Sequence, residues 1–324
     1  MVPALILAII VLCFVLIKSA DWIIIALRRI AKTSKTGVFI LSSLILAIGT
    51  SFPELSVGIT SSLEKSSALA LGVVLGSNIV NISLVAGLAA LFAGRVYVHG
   101  GFIKKELGVA FLAGLAPLFL ILDGSLNRVD GLILLAIYGA YASSFFKQRY
   151  EQISKEHREE SFIYRFLRKF THINGKTTRE YGRLFIGIAL LLFSADMIVK
   201  IATQLAESAG IPIFVIGLIL LAIGTSLPEV VFSFRSLEDH EPSMFFGNIL
   251  GSTIANSTLI VGISALIYPI VVFDPNEYLL AGGVYIVIAI LFWYFVRSKM
   301  RLERWEAGVL VIIYILFATA EFIW

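Results

Sequence analysis

The chain has 324 residues, of which 58% are hydrophobic and 15% charged, and its formal net charge is +4. A soluble domain is about half apolar and about a quarter charged, so this composition excludes an ordinary soluble protein and indicates several membrane spans. The basic residues lie in segments between apolar runs, which excludes a nucleic-acid-binding patch. With the single cysteine Cys13 and four histidines in predicted loops, we expect neither a disulfide framework nor a zinc or copper site.

Ten apolar runs are each long enough for a spanning helix, which needs about 20 residues. The first half has runs at 2–30, 37–63, 68–94, 106–122 and 129–146, and the second half has runs at 184–205, 213–234, 244–270, 278–296 and 305–324. The first run lacks a basic leader, so we expect it to span the membrane rather than to be cleaved. The polar stretch 147–183 is either a solvated connector or, around Phe162 to Phe170, an amphipathic helix on the membrane surface.

An unusual polar motif lies inside the second run, where residues 47–54 read AIGTSFPE. Pro53 has no N–H and its ring clashes with the carbonyl four residues earlier, so the helix is expected to bend or break there. The backbone carbonyls of residues 47–50 would then lose their partners, and Thr50 and Glu54 would share one helix face. Carbonyl, hydroxyl and carboxylate oxygens are ligands of hard cations such as Ca²⁺, so this motif predicts a cation site within the membrane.

The motif returns at residues 222–229 as AIGTSLPE, with Glu229 at an offset of 175 from Glu54. The same offset relates further pairs across three runs: Ser19 and Ser194, Asp21 and Asp196, Gly76 and Gly251, Asn81 and Asn256, and Gly87 and Gly262. An offset that needs no gap indicates an internal duplication. Because each half has five spans, an odd number, the halves are expected to enter the membrane in opposite directions, with the substrate site near the midplane between them.

We therefore predict an all-α membrane protein with ten transmembrane helices, arranged as two inverted five-helix repeats. The first repeat is 1–146, the connecting loop is 147–183 and the second repeat is 184–324. If the N-terminus is outside, 22 of the 26 Lys and Arg residues fall in inside loops, as the positive-inside rule requires. We accordingly expect a multi-pass protein of the cell membrane with both termini extracellular and the loop 147–183 cytoplasmic.

Serine and asparagine recur four residues apart on the run that follows each motif. The pairs are Ser77 with Asn81 and Ser252 with Asn256. Each pair shares one helix face, where its oxygens would either coordinate an ion or hydrogen-bond to a neighbouring helix. If the repeats face each other, Glu54 and Glu229 meet near the centre, and one Ca²⁺ would neutralise them. Glycines on the same two runs are expected to let helices approach closely, namely Gly72, Gly76, Gly247 and Gly251.

On these two motifs and the ten-run layout, the chain resembles the sodium/calcium exchangers of the cation/calcium antiporter superfamily. The resemblance implies Ca²⁺ between Glu54 and Glu229, beside carbonyls of Thr50 and Thr225. It implies one Na⁺ site from Ala47, Thr50, Ser77 and Glu54, and another from Ala222, Thr225, Ser252 and Glu229. Asn81 and Asn256 would line the middle, and Ser51 and Ser226 complete the candidate metal-binding set. Sliding of the first and sixth helices would give alternating access.

The chain departs from the family pattern at two positions. Val73 stands where the family usually has Asn, whereas Asn248 keeps that residue in the second repeat. Asn256 stands where potassium-dependent relatives carry Asp. These departures predict a site that is less symmetric than the motifs, with one negative charge fewer than in those relatives.

We interpret the protein as a secondary active antiporter that exchanges Na⁺ for Ca²⁺ by alternating access. The alternative is a proton/Ca²⁺ antiporter that uses the same two glutamates as proton carriers. An enzyme is disfavoured because the sequence has no H-E-x-x-H, G-x-S-x-G or Gly-rich phosphate loop. We expect a protein that acts as a monomer in the lipid bilayer, with no partner nucleic acid and no cofactor besides the transported ions.

Overall fold

The computed structural model describes residues 2–33, 50–98, 101–156, 175–238, 240, 242–271 and 275–323. The helices of the first half are α1 (Val2–Thr33), α2 (Phe52–Leu63), α3 (Ser67–Val80), α4 (Ala86–Ala93), α5 (Gly101–Leu120) and α6 (Arg128–Glu156). Those of the second half are α7 (Gly175–Ala209), α8 (Ile213–Val215), α9 (Ala222–Thr225), α10 (Leu227–Glu238), α11 (Pro242–Ile254), α12 (Val261–Ile267), α13 (Pro275–Lys299) and α14 (Arg304–Ile323).

Within the described residues, three π-helical turns widen the helices that surround the centre of the molecule. They are π1 (Asn81–Val85) between α3 and α4, π2 (Ile216–Leu221) between α8 and α9, and π3 (Ala255–Ile260) between α11 and α12. Such turns occur mostly at functional sites, because they leave the regular backbone ladder and change the direction of nearby side chains. Both predicted asparagines lie in them, since Asn81 begins π1 and Asn256 lies within π3.

Seven stretches of the described residues are long and apolar enough to cross a membrane: Val2–Ile23, Ser67–Ala93, Glu106–Asp123, Glu180–Ala209, Ile213–Glu238, Pro242–Ile267 and Tyr278–Lys299. The helices α6 and α14 have 29 and 20 residues and also lie on predicted runs. The second predicted run is described from Thr50 onwards. The prediction of a largely helical membrane protein is confirmed, and the count of ten spans stays a prediction.

Many large apolar side chains lie on the outside of the molecule and several polar ones lie inside, which is the reverse of a soluble protein. Large apolar side chains face outwards, among them Phe185 at 76% exposure and Leu112 at 68%. Ionisable and amide side chains are enclosed instead, and Glu54, Glu229 and Asn81 are all 0% exposed. This arrangement suits a lipid surround, where polar groups must find partners inside the protein.

Helices α1 and α7 pack along each other and form a separate apolar cluster. Cys13 and Leu16 of α1 and Ile198 of α7 belong to it, together with Leu69 and Val73 of α3. The larger apolar cluster is built from the helices α3 to α6 and α11 to α14, with contributions from the segment around π2. The α1–α7 pair is therefore a distinct packing unit that lies against the rest of the molecule.

The part of the chain that the structure describes has four two-residue strands that connect the two halves, namely β1 (Val96–Tyr97), β2 (Ser125–Leu126), β3 (Ile270–Val271) and β4 (Arg301–Leu302). The strand β1 pairs antiparallel with β4, and β2 pairs antiparallel with β3. Val96 lies opposite Leu302 and Leu126 lies opposite Ile270, and all four side chains are buried. Each ladder thus joins a segment of one half to a segment of the other. Strands of two residues are too short to show an alternating pattern, so the sequence did not predict them.

The predicted connecting loop 147–183 begins and ends in helix. Helix α6 continues to Glu156 and α7 begins at Gly175, so both helices extend into the polar stretch by about half a dozen residues or more. Lys, Arg, Gln and Glu are good helix formers, which explains why a helix continues beyond its apolar run. Residues 157–174, with the candidate amphipathic stretch, lie outside the described residues.

Candidate functional site

In both motifs the serine leaves the helical conformation, and in the second motif it separates two described helices, α9 and α10. Ser51 has φ −87° and ψ 8°, and Ser226 has φ −83° and ψ 4°, so both leave the helical region in the same way. A new helix starts immediately afterwards, with Pro53 in the first turn of α2 and Pro228 in the first turn of α10. A proline is tolerated there because the first N–H groups of a helix have no intrahelical partner. The predicted break is confirmed in the second motif; in the first motif the residues before Thr50 lie outside the described part of the chain, so the break there stays a prediction.

The two glutamates occupy the first turns of α2 and α10, where the helix dipole favours negative charge. Each is fully buried. Glu54 Oε1 accepts a hydrogen bond from Ser77 Oγ at 3.4 Å, and Glu229 Oε1 accepts one from Ser252 Oγ at 3.5 Å. Both distances exceed the roughly 2.7–2.8 Å of a typical O–H···O bond. The glutamates are therefore only loosely held by protein donors.

The second carboxylate oxygens, Oε2 of Glu54 and of Glu229, have no partner among the described residues. No described lysine or arginine forms an ion pair with either glutamate. Burying a charge without a counter-charge costs several kcal/mol, so two such carboxylates side by side require a cation or protons. The site therefore has the composition of a cation-binding site, and no described lysine or arginine takes the place of the cation.

In the structure the motif hydroxyls meet across the two repeats. Thr50 Oγ1 lies 3.3 Å from Ser252 Oγ, and Thr225 Oγ1 lies 3.3 Å from Ser77 Oγ, so each threonine meets the serine of the other repeat. The family resemblance instead implies Na⁺ sites that group each threonine with the serine of its own repeat, and those ligand sets stay a prediction. We name the observed groups the Glu54 half-site (Glu54, Ser77 and Thr225) and the Glu229 half-site (Glu229, Ser252 and Thr50).

Close packing at glycine explains why a threonine contacts the serine of the other repeat. A Cβ on Gly76 would lie 2.1 Å from the carbonyl oxygen of Leu218 and 2.6 Å from Ala222 Cβ, and one on Gly72 would lie 2.3 Å from the carbonyl oxygen of Phe214. Helix α3 therefore runs in backbone contact with the segment of the second motif, as the sequence predicted. The repeat-related contacts of Gly247 and Gly251 would fall at residues 39–47, outside the described part of the chain, so that half of the prediction stays a prediction.

The asparagines and motif serines carry buried polar atoms without partners. Asn81 and Asn256 are 0% exposed, and neither amide nitrogen nor amide oxygen has a partner in the described ranges. The same holds for the hydroxyls of Ser51 and Ser226. Side chains that only joined helices would be hydrogen-bonded to them, so the described contacts favour ligand or water binding over helix–helix hydrogen bonding.

The alanine positions differ from the expectation. Ala47 lies outside the described residues. Ala222 is buried, but its carbonyl accepts hydrogen bonds from Ser226 N at 3.1 Å and Thr225 Oγ1 at 3.5 Å. The sequence predicted that backbone carbonyls of the motif lose their helical hydrogen bonds, but the Ala222 carbonyl keeps its bond from Ser226 N. The missing N–H of Pro228 is instead the one that the carbonyl of Gly224 would have bonded.

Two contacts at the site involve residues outside the predicted set. Asn248 Oδ1 accepts a hydrogen bond from Thr50 Oγ1 at 3.1 Å, and Asn78 Nδ2 donates one to Ser257 Oγ at 2.7 Å. Asn248 lies four residues before Ser252, a spacing that places both on one helix face and could have identified it. The pairing of Asn78 with Ser257 has no such signal, because it joins two helices from different halves.

The comparisons with known proteins match both halves of the chain. The family model described as sodium/calcium exchanger protein matches residues 4–147 and 180–322. The sodium/calcium exchanger MaX1 of Methanosarcina acetivorans is 28% identical over 344 residues, covering 95% of each chain. The inner membrane protein YrbG of Escherichia coli is 32% identical over 278 residues, covering 85% of this chain and 83% of its own. A structure of the sodium-calcium exchanger NCX_Mj, soaked with 10 mM Na⁺ and 10 mM Sr²⁺, has 25% identity and a TM-score of 0.61 over 98% of both chains.

Proposed function

Because the chain belongs to the sodium/calcium exchanger family, we propose that it is a secondary active antiporter that exchanges Na⁺ for Ca²⁺ across the membrane. The family places it among cation/calcium antiporters, which are transporters rather than enzymes. The observation that carries the choice of Ca²⁺ is the pair of buried glutamates, Glu54 and Glu229, each with one oxygen that has no described partner. One Ca²⁺ neutralises both carboxylates and is a cation that prefers oxygen ligands.

The proposed Ca²⁺ ligands are the carboxylates of Glu54 and Glu229, with carbonyls of Thr50 and Thr225 beside them. Asn81 and Asn256 line the middle of the site, where their unpartnered amide oxygens face no described donor. The ion is cargo and not a resident cofactor, so we assign no cofactor. The transported ions themselves complete the set of polar contacts that the protein leaves open.

The choice of Na⁺ rests on the neutral oxygens of the two half-sites. The hydroxyls of Ser77, Thr225, Ser252 and Thr50 coordinate Na⁺ through their lone pairs and do not carry protons near neutral pH. Ser51, Ser226 and the carbonyls of Ala47 and Ala222 are further proposed ligands of the Na⁺ sites. The Ala222 carbonyl keeps its helical hydrogen bond, so an ion there would use its second lone pair in place of the long contact from the Thr225 hydroxyl at 3.5 Å.

We propose ten spans in two inverted repeats, 1–146 and 184–324, joined by the cytoplasmic segment 147–183. Support comes from the matching backbone angles at Ser51 and Ser226 and from the threonines, each of which contacts the serine of the other repeat. Further support comes from the two strand ladders, each of which pairs a segment of the first half with a segment of the second. The distribution of Lys and Arg supports extracellular termini, and we further propose that a monomer in the cell membrane is the transport unit.

Alternating access fits the packing of α1 and α7. The pair forms its own apolar cluster, and α1 passes directly over the second motif, because a Cβ on Gly224 would lie 2.7 Å from Cys13 Sγ. A smooth apolar seam lets helices shift without breaking buried polar bonds. A shift of α1 and α7 would uncover the glutamates towards one side and cover them towards the other.

The second candidate function is proton/Ca²⁺ antiport. The observation in its favour is the same pair of unpaired buried carboxylates, which can each hold a proton as well as share Ca²⁺. In that case the hydroxyls of the half-sites would serve only as structural hydrogen-bond partners. The two candidates therefore differ in the driving gradient and not in the Ca²⁺ ligands.

Flux measurements on purified protein in lipid vesicles separate the two candidates. Vesicles loaded with Na⁺, with equal pH on both sides, are diluted into Na⁺-free buffer containing labelled Ca²⁺ and no K⁺. We expect Ca²⁺ uptake without K⁺, because the neutral Asn256 replaces the acidic residue of potassium-dependent relatives. A pH gradient without Na⁺ should drive little uptake. Uptake that follows the pH gradient and ignores the Na⁺ gradient would establish the second candidate.

A further inference from the structure

The two half-sites differ at one pair of repeat-related positions, Val73 in α3 and Asn248 in α11. Both side chains are buried, at 0% and 7% exposure. Asn248 reaches the Glu229 half-site and accepts a hydrogen bond from the Thr50 hydroxyl at 3.1 Å, the shortest hydroxyl contact in either half-site. Val73 packs in the apolar cluster of α1 and α7 and can accept no hydrogen bond.

This difference determines where the hydroxyl protons of the Glu229 half-site point. Thr50 donates to Asn248, and Ser252 donates to Glu229. A hydroxyl has a single proton, so the two oxygens, 3.3 Å apart, face each other with lone pairs. Two facing lone pairs beside a carboxylate form a ready coordination site for a small cation.

The Glu54 half-site lacks this arrangement. Ser77 donates to Glu54, and the hydrogen bonds open to the Thr225 hydroxyl are the contact with Ser77 at 3.3 Å and the bond to the Ala222 carbonyl at 3.5 Å. A proton directed at Ser77 occupies the lone pair that a cation would use. A proton directed at the carbonyl makes a long and weak hydrogen bond.

We propose that Asn248 makes the Glu229 half-site the stronger of the two Na⁺ sites, because it holds the Thr50 proton away from Ser252. Asn248 is thus a positioning residue for Na⁺ selectivity and acts through Thr50. The inference rests on the proposed Na⁺ coupling and goes beyond it, since it assigns different Na⁺ affinities to two half-sites that have the same motif residues.

The test compares Thr50→Val, Thr225→Val and Asn248→Val, which remove the two threonine hydroxyls and the amide in turn. The concentration of Na⁺ for half-maximal Ca²⁺ uptake is measured in vesicles, and stabilisation by Na⁺ against thermal unfolding is measured in detergent with choline as the ionic-strength control. Thr253→Val is the matched control, because its hydroxyl lies on the same helix as Asn248 but bonds only the Ile249 carbonyl at 2.9 Å.

We expect Asn248→Val and Thr50→Val each to raise the half-maximal Na⁺ concentration roughly five- to tenfold, the size of one net hydrogen bond. The double variant should be no worse than either single one, because both act through the same hydroxyl. Thr225→Val removes a ligand of the weaker site, so it should raise the half-maximal Na⁺ concentration by a smaller factor, roughly two- to threefold. The half-maximal Ca²⁺ concentration should stay within about twofold in all of them, since Ca²⁺ depends on the carboxylates.

Equal shifts for Thr50→Val and Thr225→Val, or additive shifts for Asn248→Val and Thr50→Val, would overturn the inference while Na⁺ coupling stands. Wild-type uptake that does not respond to Na⁺ at all would instead contradict the proposed function. If Asn248→Val does not fold, the comparison of the two threonine variants still decides, because valine matches threonine in shape.

Discussion

At the two glutamates, replacement by glutamine keeps the shape of the side chain and removes its charge. We expect Glu54→Gln and Glu229→Gln each to reduce Ca²⁺ uptake roughly 100-fold, because removing one member of a buried charged set costs 2–5 kcal/mol or more. The measurement is initial uptake in vesicles, with size-exclusion profiles to establish that each variant folds. Glu64→Gln is the matched control, since it removes an exposed carboxylate just beyond the end of the same helix as Glu54.

A folded variant of either glutamate that transports at near the wild-type rate would remove that residue from the Ca²⁺ site. Loss in one variant alone would mean that a single carboxylate binds the ion and that the repeat-related one has another role. The prediction therefore tests each glutamate separately.

At the level of helix packing, Gly76 sets the distance between α3 and the second motif. A methyl group there would lie 2.1 Å from the Leu218 carbonyl oxygen, and a backbone atom cannot move aside as a flexible side chain can. We expect Gly76→Ala to lower the free energy of unfolding by about 1–3 kcal/mol, the cost of overpacking a core. Thermal unfolding in detergent measures this.

Gly108→Ala is the control, because no described atom lies within 4 Å of the added Cβ and alanine is the better helix former. It should leave the unfolding temperature unchanged or raise it. Similar losses in both variants would contradict the importance of the close contact at Gly76.

The turn between α13 and α14 lies outside the spanning segments and is organised by Glu303. Its carboxylate accepts hydrogen bonds from Trp305 Nε1 at 2.9 Å, Lys299 Nζ at 3.1 Å and Arg301 Nε at 2.9 Å. These bonds, with that of Trp305 the largest cause, lower the pKa of Glu303 from 4.5 to about 2. A carboxylate whose pKa falls on folding stabilises the protein above its unfolded pKa, and this stabilisation is lost as the pH falls towards the folded pKa.

We expect Glu303→Gln to lower the unfolding temperature at pH 7 and the gap to wild type to close as the pH falls from 4.5 towards about 2. Unfolding is followed by tryptophan fluorescence across this pH range, with Glu64→Gln as an exposed control. A gap that stays constant below pH 4.5 would show that the effect comes from the shape of the turn and not from the charge.

For the whole molecule, inverted repeats predict that corresponding helix ends lie on opposite sides of the membrane. Leu63 and Glu238 are exposed, repeat-related residues at the ends of α2 and α10. In a Cys13→Ser background, we expect a membrane-impermeant maleimide to label Leu63→Cys from outside and Glu238→Cys only from inside. Detergent-permeabilised samples provide the control in which both label, and labelling of both from one side would contradict the inverted arrangement.

The spanning helices and the helix interruptions could be predicted from the sequence, because each depends only on residue types within one continuous segment of the chain. A spanning helix requires about 20 apolar residues, so the runs predicted the helices that the structure describes. Pro53 and Pro228 lack an N–H, so the break beside Ser226 and the one expected beside Ser51 were predictable from the residue type. Other features depended on contacts between halves and were missed, among them the two strand ladders and the bond between Asn78 and Ser257.

The sequence by itself determined the membrane class, the duplicated motif and the two acidic residues within it. Ionisable residues are costly inside a bilayer and therefore rare in apolar runs, so those that occur there are easily identified. Only the tertiary structure decided that Thr50 meets Ser252 and Asn248, and that Thr225 meets Ser77. Thr50 and Ser252 are separated by 202 residues. Spacing along a helix determines which side chains share a face, but the rotation and crossing of packed helices determine which faces meet. Here the backbone contact at Gly76 brings the motif of one repeat against the serine of the other.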